Sequence, residues 1–258
     1  MEASLLAKQI LDSESLEDKL FTPEIITDLE PGSPIFWTEP SRSQSMLFHR
    51  RSKKDKLPKT DFHKDEHRAV CLHRFAGHEL LAVEIMAYAI LAFPHTSKTF
   101  RKGLITTLLE EQEHVRLYQK ELSRFGVNLG DLPLYKHFWK LTPFMKTESE
   151  YVSLMSLTFE AANLDFAPYY GNIFSKVGDE SSSALMKRIY QDEIKHVAFG
   201  YGWLKKLKKD HLSIQEDWLS HLPMLVEPKR AKGPIFNTEG RQKAGLNDDF
   251  ILFLKNLN

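Results

Sequence analysis

Two copies of the pattern Glu-x-x-His, each preceded by a further glutamate, are the residues of this chain best suited to chemistry. The upstream glutamate lies 32 residues before the pair in the first copy and 33 residues before it in the second. The six residues are Glu79, Glu111, His114, Glu160, Glu193 and His196. Two helices that each give one Glu, and two that each give Glu-x-x-His, form the dinuclear metal site of a four-helix bundle. The repeat therefore predicts two metal ions held by helices.

The types of the ligands indicate which metals to expect. Carboxylate and imidazole groups suit Fe or Mn better than a metal that prefers thiolates. Two ions of Fe or Mn, or a mixed Mn/Fe pair, are therefore expected. Zn can enter an isolated sample, because metal availability and site geometry decide occupancy.

The spacing also predicts the elements that position these side chains. Residues three apart on a helix lie on the same side, so each Glu-x-x-His pair can present both groups to one ion. Apolar residues recur at steps of three and four around the ligands, which indicates four helices with the ligands on their inner faces. The fold class expected is all-α, a four-helix bundle in which residues 126–147 form a long crossover between the second and third helices.

Prolines and glycines predict where these helices end. Pro94 ends the first helix, Gly126 the second and Gly178 the third. Pro168 is expected to kink the third helix or to interrupt its hydrogen bonding.

The alternative to a metal site is ordinary pairing of charges. A single Glu-x-x-His on a charged helix usually belongs to a solvated face. Here each of the six residues lies within an apolar stripe, where an unpaired carboxylate costs several kcal/mol or changes its protonation state. The burial expected for all six favours metal binding over a dense network of ion pairs.

Glu84 competes with Glu79 as the ligand of the first helix. Five helical residues place Glu84 about 140° from Glu79, away from the inner face, so Glu79 is preferred. The neighbouring His78 is expected beside the core rather than on the metal.

Two further residues are candidates for supporting roles. Asp192 can accept a hydrogen bond from a ligand imidazole and fix its tautomer, although a surface aspartate fits the spacing equally well. Tyr118, four residues after His114, can line the pocket or carry a radical, but a packed core tyrosine is the commoner outcome.

Length and composition indicate one domain with two flanking arms. The chain has 258 residues, and its 35 basic and 35 acidic residues cancel. We expect an N-terminal arm over 1–58, a helical bundle over 59–210 and a C-terminal extension over 211–258, with both arms packed on the bundle. The irregular composition of 22–58 fits this division.

The same data favour a cytoplasmic location. Cys71 is the single cysteine and cannot form an internal disulfide. The N-terminus does not match a secretory signal, and Glu84 breaks the longest apolar run, so no membrane span is expected.

Four stretches around the ligands resemble the ferritin-like superfamily, and within it a bacterial family of ferritin-like domains of unknown function. They are HRFAGHELLAVEIMA, GLITTLLEEQEHVRLY, LTFEAANLDFAPYY and IYQDEIKHVAFG, and PKRAKGPIFNTEGRQKAGL in the tail looks like the same family. The likeness covers about residues 65–245. Glu79-x-x-Ala82 is similar to the ligand segment of rubrerythrins and of quinone-hydroxylating relatives. Asp192-Glu193-x-x-His196 resembles ribonucleotide reductase small subunits and bacterial monooxygenases, in which the Asp is a partner of an iron-ligating His.

The resemblance implies a ferritin-like bundle with a di-iron site that reacts with O2 or peroxide. The leading hypothesis is an O2-dependent oxidase or hydroxylase that acts on a small molecule with an electron donor. Neither nucleic acid nor a membrane is expected as a partner, and homodimer formation stays open.

Three other functions stay as alternatives. Iron storage or peroxide scavenging requires a shell or an added electron-transfer centre, and the one cysteine leaves no rubredoxin-like module. An RNA-modifying hydroxylase is suggested by the basic run from His49 to Lys59, although a solvated loop is the more ordinary interpretation. A metal-binding protein without turnover is the fourth class.

Overall fold

A computed structural model of the chain describes residues 1–50 and 61–257. Over these residues the secondary structure is helical, with two isolated β-bridges and no β-strand, so the all-α prediction is confirmed. The described chain divides into two compact units, Met1–Pro143 and Phe144–Asn258. The basic run lies outside the described residues from Arg51 onward.

The first unit contains two long helices that pack side by side, with the N-terminal arm against them. Its helices are α1 (Ala3–Asp12), α2 (Leu16–Lys19), α3 (Asp65–Ala92) and α4 (Lys98–Ser123), with a 3-10 turn at Gln44–Met46. Amphipathic α1 buries Leu6, Ile10 and Leu11 in the contact with α3. The Ser97 hydroxyl caps α4 by accepting from the Phe100 N–H, and Gly126 follows the helix with φ +68°.

Helix α3 contains a long apolar stretch. Among the described residues it alone has the length and mean hydropathy of a membrane span, which the sequence did not predict. However, 89% of its most apolar window is buried inside the protein. Core helices of soluble proteins share these properties, and the burial of α3 matches theirs.

The second unit is built on one long, interrupted helix and the helix that packs against it. Its elements are α5 (Glu148–Leu154), a π-helical segment (Met155–Glu160), α6 (Ala161–Lys176), α7 (Glu180–Leu207), α8 (Ile214–Ser220), α9 (Thr238–Lys243) and α10 (Asp248–Asn256), with a 3-10 turn at Pro228–Ala231. A further 3-10 turn, Trp139–Phe144, covers the last residues of the first unit and the first residue of the second. Gly178 has φ +78°, and Asp179 caps α7 by accepting from the Ser182 N–H.

The break in the predicted third helix lies upstream of the proline. Helix α6 continues through Pro168, whereas residues Met155–Glu160 adopt the wider π-helical turn. Such segments are rare, occur mostly as single insertions in α-helices and are frequent at functional sites. Here the segment ends at Glu160, one of the predicted ligands.

The C-terminal extension is fixed to α6 by one buried ion pair. Asp165 accepts two hydrogen bonds from the Arg241 guanidinium, at 2.7 and 3.0 Å, and both side chains are fully buried. The same carboxylate accepts the backbone N–H groups of Gly233 and Asn237 at 2.8 and 2.6 Å. The tail residues Gly233, Asn237 and Arg241 thus enclose the Asp165 carboxylate.

Candidate metal centre

In the first unit, α3 and α4 bring three of the predicted ligands together. Glu79, Glu111 and His114 each offer a ligand atom, and these atoms lie within 4.8 Å of one another. All three side chains are buried. Metal–nitrogen and metal–oxygen bonds of roughly 2.0–2.2 Å place ligand atoms about 3 to 4 Å apart around one ion. The group can therefore hold a metal ion after small side-chain movements.

The contact within the first Glu-x-x-His pair is already close. His114 Nδ1 lies 3.2 Å from Glu111 Oε2, at hydrogen-bond distance. The two residues are one helical turn apart and are each 1% exposed. A metal ion that binds both groups would replace this contact.

The competing glutamate of α3 has a different environment. Glu84 forms buried ion pairs with Lys19, whose Nζ lies 3.1 Å from Oε1, and with Arg42, whose Nη2 lies 2.5 Å from Oε2. Burial lowers the pKa of Lys19, and the Glu84 carboxylate counteracts that shift. The structure thus places Glu84 among cations of the N-terminal arm and Glu79 with Glu111 and His114.

In the second unit, the π-helical segment and α7 supply the other three predicted ligands. Glu160 and His196 offer ligand atoms within 4.8 Å of each other. Glu193 Oε2 lies 3.6 Å from His196 Nδ1. All three residues are buried, and each belongs to a buried group of Glu and His side chains that could hold a metal ion.

A buried carboxylate oxygen in this group supports the fit to a metal. Glu193 Oε2 is inaccessible to solvent and has no hydrogen-bond partner among the residues that the structure describes. Buried polar atoms nearly always have a partner, and the exceptions need an explanation such as a missing ion. An ion bound to Oε2 would supply that partner.

Asn163 is a site residue whose role the sequence did not reveal. Its side-chain N–H donates to Glu193 Oε1 at 2.8 Å and so links α6 to α7. The available signal was its position three residues after Glu160, which places it on the same side of the helix. An asparagine three residues from a ligand can equally well face solvent or bond to the backbone, so the sequence alone did not predict its contact with Glu193.

Asp192, Tyr118 and His78, the other side chains discussed from the sequence, lie near the ligands along their own helices. Asp192 is buried and accepts hydrogen bonds from Arg188 Nε and Lys195 Nζ, both at 2.7 Å. Tyr118 is buried, and its ring lies 6.2 Å from that of Phe75. His78 is half-buried, with its ring 4.8 Å from that of His137 in an edge-on arrangement.

The interrupted helix is held at its π-helical turn by two donors. Ser153 O accepts the Thr158 hydroxyl at 2.7 Å and the Trp218 indole N–H at 3.1 Å. Because Trp218 belongs to α8, the C-terminal extension contacts the end of α5, directly before the π-helical segment.

A family model matches nearly the whole chain. The match covers residues 4–252, and the family is described as "Protein of unknown function (DUF455)". No curated protein and no solved structure matches the chain. The match spans all the helices that carry the predicted ligands, and the chain belongs to the DUF455 family.

Proposed function

We propose that the chain is a di-iron carboxylate protein that uses O2 to oxidise or hydroxylate a small organic substrate. The observation that carries the proposal is that buried Glu and His side chains form groups whose ligand atoms lie within 4.8 Å of one another. The proposed ligands are Glu79, Glu111, His114, Glu160, Glu193 and His196. The resemblance of the surrounding stretches to ferritin-like oxygenases supports iron and O2.

The charges of the ligands fit two divalent ions. Four ionised carboxylates carry four negative charges, which two divalent cations neutralise, while neutral imidazoles add none. Without such compensation, carboxylates this deeply buried would be strongly destabilising. The donor set contains no thiolate, which also favours Fe or Mn.

The side chains have separate tasks in this proposal. Bound iron would supply the redox and Lewis-acid chemistry that the amino acids lack. The six ligands hold the metal and are each at most 6% exposed, so bulk water is kept away from them. Asp192 is proposed to orient a ligand imidazole through its carboxylate.

The test is anaerobic loading with Fe(II), followed by mixing with O2 under optical and Mössbauer detection. We expect two Fe per chain, a coupled diferric spectrum after mixing and oxidation within seconds. Glu111→Ala and His196→Ala should each lose stoichiometric iron and keep the helical circular dichroism spectrum. Glu113→Ala is the matched control, because Glu113 lies on α4 with a half-exposed side chain that pairs with Arg116.

Each outcome separates one part of the proposal from another. Wild-type protein that binds no more iron than Glu111→Ala/His196→Ala would show that the ligand assignment is wrong. Stoichiometric iron without a rapid reaction with O2 would instead identify a metal-binding protein without oxidase activity.

A further inference from the structure

Asn163 makes a directed contact with one oxygen of a proposed ligand. Its Nδ2 lies 2.8 Å from Glu193 Oε1. An ionised carboxylate has no proton to donate, so the amide N–H must be the donor, and this fixes the orientation of the amide. Hydrogen bonds to a charged acceptor are stronger than those between neutral groups.

The two oxygens of Glu193 are therefore not equivalent. Oε1 is held by Asn163, whereas the buried Oε2 lacks a hydrogen-bond partner among the described residues and lies 3.6 Å from His196 Nδ1. The amide proton of Asn163 occupies one lone pair of Glu193 Oε1, whereas Oε2 is the oxygen near the His196 imidazole.

We propose that Asn163 is a positioning residue that directs Glu193 to bind metal through Oε2. This inference rests on the proposed function. Asn163 acts through Glu193 and does not itself bind the ion. Groups that orient a metal ligand typically change metal affinity by about 10- to 100-fold when they are removed.

A purely structural role for Asn163 leads to a different expectation. If the amide only satisfied a buried carboxylate, its removal would lower the stability of the metal-free protein and leave the bound metal unchanged. Metal affinity and the spectrum of the bound ion distinguish the two roles, because only the positioning role moves both.

The experiment measures Mn(II) binding by electron paramagnetic resonance, since free aqueous Mn(II) gives a strong, sharp signal and protein-bound Mn(II) gives a weaker, broader one. Wild type, Asn163→Leu, Asn172→Leu and Glu193→Gln are titrated in parallel. Asn163→Leu keeps a side chain of similar shape without a donor and should bind about 10- to 100-fold more weakly, with an altered bound spectrum. Asn172→Leu changes an exposed asparagine of the same helix and should match wild type.

The results distinguish this inference from the proposed function. Asn163→Leu with wild-type affinity and spectrum would overturn the positioning role while metal binding stands. Wild type that binds neither Mn(II) nor Fe(II) would overturn both. If Asn163→Leu fails to fold by circular dichroism, Asn163→Ala is measured in its place, with the same loss expected.

Discussion

Residue type alone does not decide what a buried glutamate does on α3. Glu79 and Glu84 are both buried and lie five residues apart. Glu84 is compensated by Lys19 and Arg42, cations that the chain itself supplies. Glu79 instead shares its surroundings with Glu111 and His114, a group suited to an external cation. Helix α3 thus carries one buried glutamate that is paired with cations of the chain and another whose neighbours could hold a metal ion with it.

A buried histidine outside the proposed site should make the stability of the protein depend on pH. His73 is 1% exposed, and its Nε2 accepts the Gly130 N–H at 3.0 Å, so the ring is neutral in the folded chain. Burial and, to a smaller extent, the charge of Arg74 lower the pKa of His73 from 6.5 to about 4. Between these two pH values the unfolded chain binds a proton that the folded chain does not. The free energy of unfolding therefore contains the full contribution of the neutral His73 above pH 6.5. This contribution falls as the pH is lowered to about 4, by up to about 3 kcal/mol.

The measurement is urea unfolding at several pH values between 7 and 4. His73→Gln cannot titrate and keeps an acceptor, so its unfolding free energy should fall less steeply than that of wild type. His95→Gln, at an exposed histidine, should keep the wild-type slope. Equal slopes for wild type and His73→Gln would contradict the neutral, buried state of the ring.

At the scale of elements, the approach of α7 to the π-helical segment depends on one glycine. A Cβ atom on Gly200 would lie 2.2 Å from the Ser156 Cβ, far inside van der Waals contact. Glycine at this position therefore lets α7 lie close to the segment that ends at Glu160. The same helix carries Glu193 and His196, so the close approach bears directly on their position.

Gly200→Ala should displace α7 from the π-helical segment. Overpacking of this kind typically costs about 1–3 kcal/mol, and movement of Glu193 and His196 should weaken metal binding. Gly202→Ala is the matched control, because a Cβ there meets no atom within 4 Å on the same helix. Alanine favours the helix at both positions, so the difference between the two variants in thermal unfolding and in Mn(II) affinity reports the close approach. Equal stability and affinity in the two variants would count against it.

The sequence predicted the long helices well, because their apolar periodicity and end signals agree. Gly126 and Gly178 follow the ends of α4 and α6 with positive φ angles, as predicted. The π-helical segment was not predicted, since one extra residue in a turn leaves the local composition unchanged. Near this segment the Ser153 carbonyl accepts hydrogen bonds from Thr158 and from the distant Trp218. The contact with Trp218 joins residues 65 positions apart and leaves no local sequence pattern.

The candidate site shows the same limit. Spacing singled out the six proposed ligands, because ligands need fixed intervals on a helix. The partner of Glu193 was missed, since the contact of Asn163 depends on how α6 packs against α7. Helix α9 and the enclosure of Asp165 were missed for a similar reason, since Arg241 is fixed by a residue 76 positions earlier.

At the scale of the whole molecule, the two units share one arrangement of charge. Each buries two acidic side chains and one imidazole of the proposed set, in a chain whose formal charges cancel. Metal-free protein must hold these carboxylates at the cost of desolvation or protonation. Metal should therefore stabilise the folded chain as well as serve the chemistry.

Removal of metal should lower the temperature of thermal unfolding. A ligand that binds only the folded state at 100 times its Kd adds about 2.7 kcal/mol, and each kcal/mol shifts the midpoint by roughly 2–4 °C in a chain of this size. Chelator-treated wild type should gain about 5–10 °C when Mn(II), or Fe(II) without oxygen, is added at that excess, as followed by calorimetry. Glu111→Ala/His196→Ala should gain little, and Glu113→Ala should gain as much as wild type. An equal gain in the ligand variant would show that the metal stabilises the protein at other sites, because the buried groups that should bind it are lost.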